Sequence, residues 1–234
     1  MLSGNAGSVW TPKINTDGLV FYAPLWHPSL AGDTFQSMEN KVGQLCTVTG
    51  AVWGKYGRIF DGTDDQIVVG AETDWDTLLD GEHAFSIAFW MNSAMSASYT
   101  VISKGNDPSF IGIYLNATNF IFDIKNGSSA NDLQCFFAHN HANTNAFVIV
   151  TYDGSKSVNG VKIYVNDVDK TLTKPINSLS TALATNVNLI IGTGIVSSWD
   201  YTGILGDFFI YNRVTSSATE RTNLRLTTKW RYQS

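Results

Sequence analysis

Apolar residues in this chain return at every second position, in short runs broken by Gly, Asp and Asn. Phe85, Ile87, Phe89 and Met91 alternate with Ser86, Ala88 and Trp90, which is the period of a β-strand and not of a helix. The intervening residues are themselves small or apolar. This strand is therefore predicted to be central, covered on both faces or with one face packed by Trp90. Leu19–Pro24 reads as the first strand, ended by Pro24, which has no N–H to give to a ladder. Further strands are predicted at about 45–49, 51–53, 58–61, 66–69, 99–103, 110–115, 119–124, 133–138, 147–152, 161–166, 188–191 and 203–212. Asp61-Gly62 and the Thr63-Asp64-Asp65 that follows form a turn between two of them. Residues 26–44 and 70–83 read as long loops. A single helix is predicted, starting at a Ser216 cap and running to Leu224, with Glu220 in its first turn. Residues 1–17 read as an extended arm, 18–225 as one domain and 226–234 as a tail. So many short strands with polar turns give an all-β fold, a two-sheet antiparallel jelly-roll sandwich with one short C-terminal helix.

Composition narrows the classes. A chain of 234 residues with 44% hydrophobic and 15% charged residues can fill a large core and is not disordered. The net charge of −5 argues against a nucleic-acid partner, which needs a basic surface. The C-terminal stretch is the exception, with Arg213, Arg221, Arg225, Lys229 and Arg231 against Glu220 alone. It reads as a solvated helix face and tail, the alternative being a docking surface for an acidic protein. Cys46 and Cys135 sit in alternating apolar runs and read as small core residues, not as a disulfide framework or metal ligands. The first ten residues have no basic or apolar signal segment, and no apolar run reaches 18 residues, so neither secretion nor membrane insertion is expected.

Five phrases carry a family likeness: Phe60-Asp61-Gly62, Phe89-Trp90, Tyr152-Asp153-Gly154, Ile163-Tyr164-Val165-Asn166, and Gly203 through Asp207 to Tyr211-Asn212-Arg213. In this order they resemble the laminin-G-like members of the concanavalin A-like lectin/glucanase superfamily, over about residues 18–225. The chain departs from that pattern at Gln66, at Gly206 where an acid is usual, and at Asp167 where a hairpin glycine is usual. The opening Gly18–Leu30 and Thr47–Trp53 look like stand-alone domains of this family among bacteriophage structural proteins. That likeness implies a non-enzymatic virion component, a capsid decoration or tail protein, made in the host cytoplasm. Its partners would be virion proteins, cell-surface glycans or further copies of itself. The alternatives are a secreted or cell-surface carbohydrate-binding module and a glycoside hydrolase.

The resemblance also implies where chemistry would sit. Relatives hold Ca²⁺ at a sandwich edge, and Asp61, Asp64, Asp65 and Asp207 supply hard oxygens at the matching positions. The plainer reading is that Asp61 and Asp64 close their turn through side-chain bonds to the backbone. For glycan binding, an exposed ring must cover a sugar face, with acids and amides for the hydroxyls. Trp199, Asp200 and Tyr201 in a Ser-rich loop are the foremost candidates, followed by Trp75; Trp26, His27 and Tyr99 are also on loops. Each ring could equally be a lid on the core. His139-Asn-His141 reads as a polar turn. Glu72-Thr-Asp-Trp-Asp76 is the nearest match to the glucanase Glu-x-Asp-x-Glu strand, but it ends in Asp and lies in a loop between Gly70 and Gly81. No enzymatic activity is expected.

Overall fold

The computed structural model describes residues 14–39, 43–183 and 186–232, apart from the side chain of Ser129. Most of the predicted arm and the last two residues of the tail therefore lie outside the described residues. In chain order the strands are β1 (Leu19–Pro24), β2 (Thr34–Gln36), β3 (Leu45–Thr49), β4 (Val52–Gly54), β5 (Gly57–Asp61), β6 (Gln66–Val69) and β7 (Ala84–Asn92). Then come β8 (Tyr99–Asn106), β9 (Ser109–Leu115), β10 (Asn119–Asn126), β11 (Ser128–Ala138), β12 (Ala146–Asp153) and β13 (Val161–Val165). Short β14 (Val168–Asp169), β15 (Thr173–Asn177) and β16 (Leu189–Ile191) precede the long β17 (Thr202–Tyr211) and the helix α1 (Ala218–Lys229).

Every strand pairing is antiparallel, in two sheets. Sheet A runs β14-β13-β12-β7-β17-β5-β4, and sheet B runs β15-β11-β10-β9-β8-β16-β6-β3-β2. One edge of β17 is shared. Its first half pairs with β5 and its second half with β1, from Leu19 opposite Tyr211 to Pro24 opposite Asp207. The predicted two-sheet jelly-roll sandwich is present. The sequence pattern missed β2, β14 and β15, which are short edge pieces without two full periods of alternation, and β15 contains a proline.

The core lies between the sheets. Phe85, Ile87, Phe89 and Met91 of β7 point into it, and Phe89 stacks on Phe208 at 5.1 Å. Each such side chain contributes about 1.5–3 kcal/mol through burial. The other face of β7 is also covered, as its pattern predicts. Ala88 and Trp90 join Phe209, Tyr211, Leu224 and Tyr232 in a second apolar layer beneath α1. The Trp90 indole stacks on Tyr232 at 4.4 Å, and its Nε1 donates to Thr228 Oγ1 at 2.7 Å. Cys46 and Cys135 are buried free thiols, and burial pushes each up to about 12.

The helix differs from expectation. Ser217, one residue later than predicted, caps it by accepting from Glu220 N. It then runs past Leu224 to Lys229, because Arg221, Leu224 and Thr228 recur at helical spacing and all three are buried. The tail drawn at 226–234 thus begins inside the helix. Its arginines are clamps, not a solvated face. The Arg221 guanidinium lies 3.8 Å from the centre of the Tyr164 ring, Arg225 bonds Asp167 at 2.7 Å, and Arg213 bonds both Glu220 and Asp17. These contacts also explain two departures from the family pattern. Asp167 sits at a φ of +71° that ordinarily favours glycine, and its carboxylate holds Arg225. At Gly206 a Cβ would collide with the Tyr232 ring, so the usual acid is excluded by the docking of Tyr232.

Candidate functional site

The eight residues singled out from sequence do not form one site. Asp61, Asp64 and Asp65 do meet, with carboxylate oxygens within 4.8 Å of one another. Two of the three are already used by the turn itself. Asp65 Oδ2 accepts from Asp61 N at 2.7 Å, and Asp61 Oδ1 accepts from Thr63 N at 2.9 Å. Burial, with the neighbouring charges of Asp61, Asp64 and Asp200, holds the Asp65 carboxyl above its ordinary range. Asp207 is not with them. It lies on β17 opposite Pro24, and its oxygens have partners there. The four-carboxylate calcium set implied by the resemblance is therefore not assembled.

Trp75 and Tyr201 are core residues. Trp75 Nε1 donates to Val69 O at 2.8 Å and its ring meets Phe21 edge-on. Tyr201 packs edge-on against Phe60 and Tyr99. Neither offers a ring face to a ligand, because both turn inward from loops that are polar on either side of them. Asp200 is buried and accepts from Thr193 Oγ1. Of the three candidates in this loop only Trp199 is partly exposed, resting on Tyr114 at 5.4 Å on the outer face of sheet B. Asp74 and Asp76 do not align with Glu72 on a strand. The segment is a single helical turn in which Asp74 Oδ2 accepts from Ala71 N, and Asp76 pairs with Lys104 at 2.6 Å.

A different aromatic surface is assembled at the edge of sheet A. Trp230 follows the last turn of α1 and is 64% exposed, more than any other large apolar residue among those described. Arg231 fills the space between it and Trp26, its guanidinium 4.1 Å from the Trp230 ring centre and 3.3 Å from that of Trp26. Trp53 on β4 joins through Nε1, which donates to the Trp26 carbonyl at 3.1 Å. Three of the seven tryptophans thus gather at one place.

What fixes them is Asp207, fully buried beneath. Its Oδ1 accepts from Tyr22 OH at 2.9 Å and Trp26 Nε1 at 3.2 Å, and its Oδ2 from Tyr232 OH at 2.8 Å, with Arg231 Nη1 at 3.6 Å. Burial holds this carboxyl above its ordinary range, against the smaller opposing pull of Arg231 and the three donors. The sequence named Trp26 and Arg231 separately but not Trp230. The available signal was the Trp230-Arg231-Tyr232 triplet directly after a helical period.

A cleft of about 440 Å³ opens elsewhere, lined by Val20, Trp75, Leu78, Glu39, Asp74 and His83 among others. Its Glu39 carboxylate is occupied by the Tyr22 and Gln44 N–H groups and the Ser37 hydroxyl. No described helix is long and apolar enough to cross a membrane.

Comparison with known proteins agrees with this architecture. No curated protein matches the chain. Among solved structures, the binding domain of botulinum neurotoxin DC in complex with rat synaptotagmin II superposes with a TM-score of 0.68 at 14% identity, over 92% of this chain and 52% of that one. The same binding domain in complex with SialylT gives 0.67 at 15%, over 91% and 52%. A mutant of Trypanosoma rangeli sialidase displaying trans-sialidase activity gives 0.65 at 15%, over 94% and 35%. This chain thus spans about half the length of the toxin domains and about a third of the sialidase, and the likeness is one of fold. A laminin-G-type family model described as "Concanavalin A-like lectin/glucanases superfamily" matches residues 61–219, and the chain belongs to that superfamily.

Proposed function

We propose that this chain is a non-enzymatic, glycan-binding adhesion module, and that its ligand-facing surface is the Trp26–Arg231–Trp230 platform. The observation that carries this reading is an indole left 64% exposed yet held in place by a stacked guanidinium. A pre-fixed flat ring covers the apolar face of a sugar at little entropic cost. The lectin-like fold, and a structural neighbour seen with SialylT, support the ligand class. Against hydrolysis stands the absence, among the described residues singled out from sequence, of two carboxylates free to act across a sugar bond. Glu72, Asp74 and Asp76 are not aligned, and Asp61 and Asp65 tie their own turn.

We further propose that the setting is a virion surface, as the resemblance of Gly18–Leu30 suggests, with repeated copies adding avidity to weak single sites. A glycan array with the wild-type protein and a Trp230→Ala variant tests the binding claim. At least a tenfold loss of affinity in the variant is expected, with Leu78→Arg in the 440 Å³ cleft unchanged. An array without hits, or equal binding by Trp230→Ala, would sink the assignment. Cosedimentation with phage particles tests the setting separately.

A further inference from the structure

The outer face of sheet B holds two acids that the glycan reading does not use. Asp123 on β10 and Asp132 on β11 are diagonal neighbours on one face, since Asp123 lies opposite Gln134 and Lys125 opposite Asp132. Each is only 3% exposed. Tyr114 OH and Gln134 Nε2 donate to Asp123 Oδ2 at 2.9 and 2.7 Å. No described donor reaches Oδ1 of either carboxyl, and both atoms are buried. Two ionised carboxylates buried as neighbours, each with an unpartnered oxygen, are costly, and one proton held between them relieves both the repulsion and the missing bond.

We infer that Asp123 and Asp132 share a single proton and form a pH-operated lock on the outer face of sheet B, closed while the proton is held and strained once it leaves. The surroundings do not supply a substitute charge. Lys125 on β10 is the nearest cation, and its Nζ is held by Asp107 of the β8–β9 turn at 2.6 Å. Tyr114 on β9 and Gln134 on β11 are neutral donors. Lys174 of the flanking β15 bonds Asn159, and Ser178 just beyond that strand bonds the Asp132 backbone.

Burial first, then the charge of neighbouring Asp123, push Asp132 up to about 7. A carboxyl with a raised folded pKa gives a definite sign. The unfolded chain releases its proton from about pH 4 while the fold still holds it, so stability falls as pH rises from about 4 to about 7 and levels off above. The lock reaches the predicted glycan loop, because the Tyr114 ring whose hydroxyl serves Asp123 also carries Trp199. This inference does not depend on glycan binding.

Urea unfolding at about pH 5 and about pH 8 tests it. The wild-type unfolding constant is expected to rise by about two orders of magnitude between them. Asp132→Asn, whose amide keeps the donor and cannot ionise, is expected to lose most of that rise. A variant that follows the wild-type pH dependence would overturn the lock. Carboxyl ¹³C NMR of the wild-type protein reads Asp132 without any substitution. A titration midpoint near 7 is the expected result, and one in the ordinary carboxylate range refutes it.

Discussion

The two outer faces of this sandwich each bury acid, and they neutralise it in opposite ways. On sheet A, Asp207 is met by two phenols, an indole and the Arg231 guanidinium, all brought by residues at the far ends of the chain. On sheet B, Asp123 has one phenol and one amide as donors, from neighbouring strands, and Asp132 lies beside it with no described cation bonded to either. Where a cation can be delivered, the acid becomes an anchor for the groups around it. Where none is delivered, a proton does the same task and makes the site sensitive to pH. The first arrangement gives a rigid platform and the second a titratable one.

The comparison can be broken at its stronger side first. Asp207→Ala leaves three buried donors and Arg231 without their acceptor, and a loss of about 3–5 kcal/mol in urea-unfolding stability is expected. A loss below about 1 kcal/mol would mean that the anchor is replaceable. On the other face, Tyr114→Phe removes one donor to a charged acceptor and should cost about 1.5–3 kcal/mol at neutral pH, measured in the same way. The exposed turn supplies the small end of the scale. Asp65 is held above its ordinary range by burial and nearby acids, so its ionised form weighs against the fold at neutral pH. Asp65→Asn keeps the acceptor for Asp61 N and should raise stability by up to about 1 kcal/mol at pH 7, an advantage lost at low pH.

Much of the frame was legible from the sequence because the alternation that codes for it is local. In β7, Phe85 through Met91 announce their period and their two covered faces within seven residues. The site was not legible in the same way. Trp230 and Tyr232 find their partners at Trp26, Tyr22 and Asp207, far away in the chain, and nothing around them states this pairing. Asp123 alternates with Phe122 and Ile124, which is the usual mark of a solvent-facing position. Only the neighbouring side chains bury it. Trp75 and Tyr201 show the reverse error. Their polar loop settings suggested display, but one indole and one phenol fit core spaces that no strand side chain fills. The five ordered phrases located strands and turns, and their departure at Gly206 marked where Tyr232 docks.

The shared edge of β17 has a mechanical consequence. β1 and β17 are antiparallel, with Leu19 opposite Tyr211, so the chain enters and leaves this ladder at the same end. Tension between those two points would open the ladder one bond at a time, which is the weak direction, once the contacts of Arg213 with Asp17 and Glu220 had parted. A load applied through Trp230 takes another route. It passes through Arg231 and Tyr232 to Asp207 in the middle of the same strand, and so into the packed body of sheet A. An adhesive grip at that point pulls on many strands together and spares the seam at the ends.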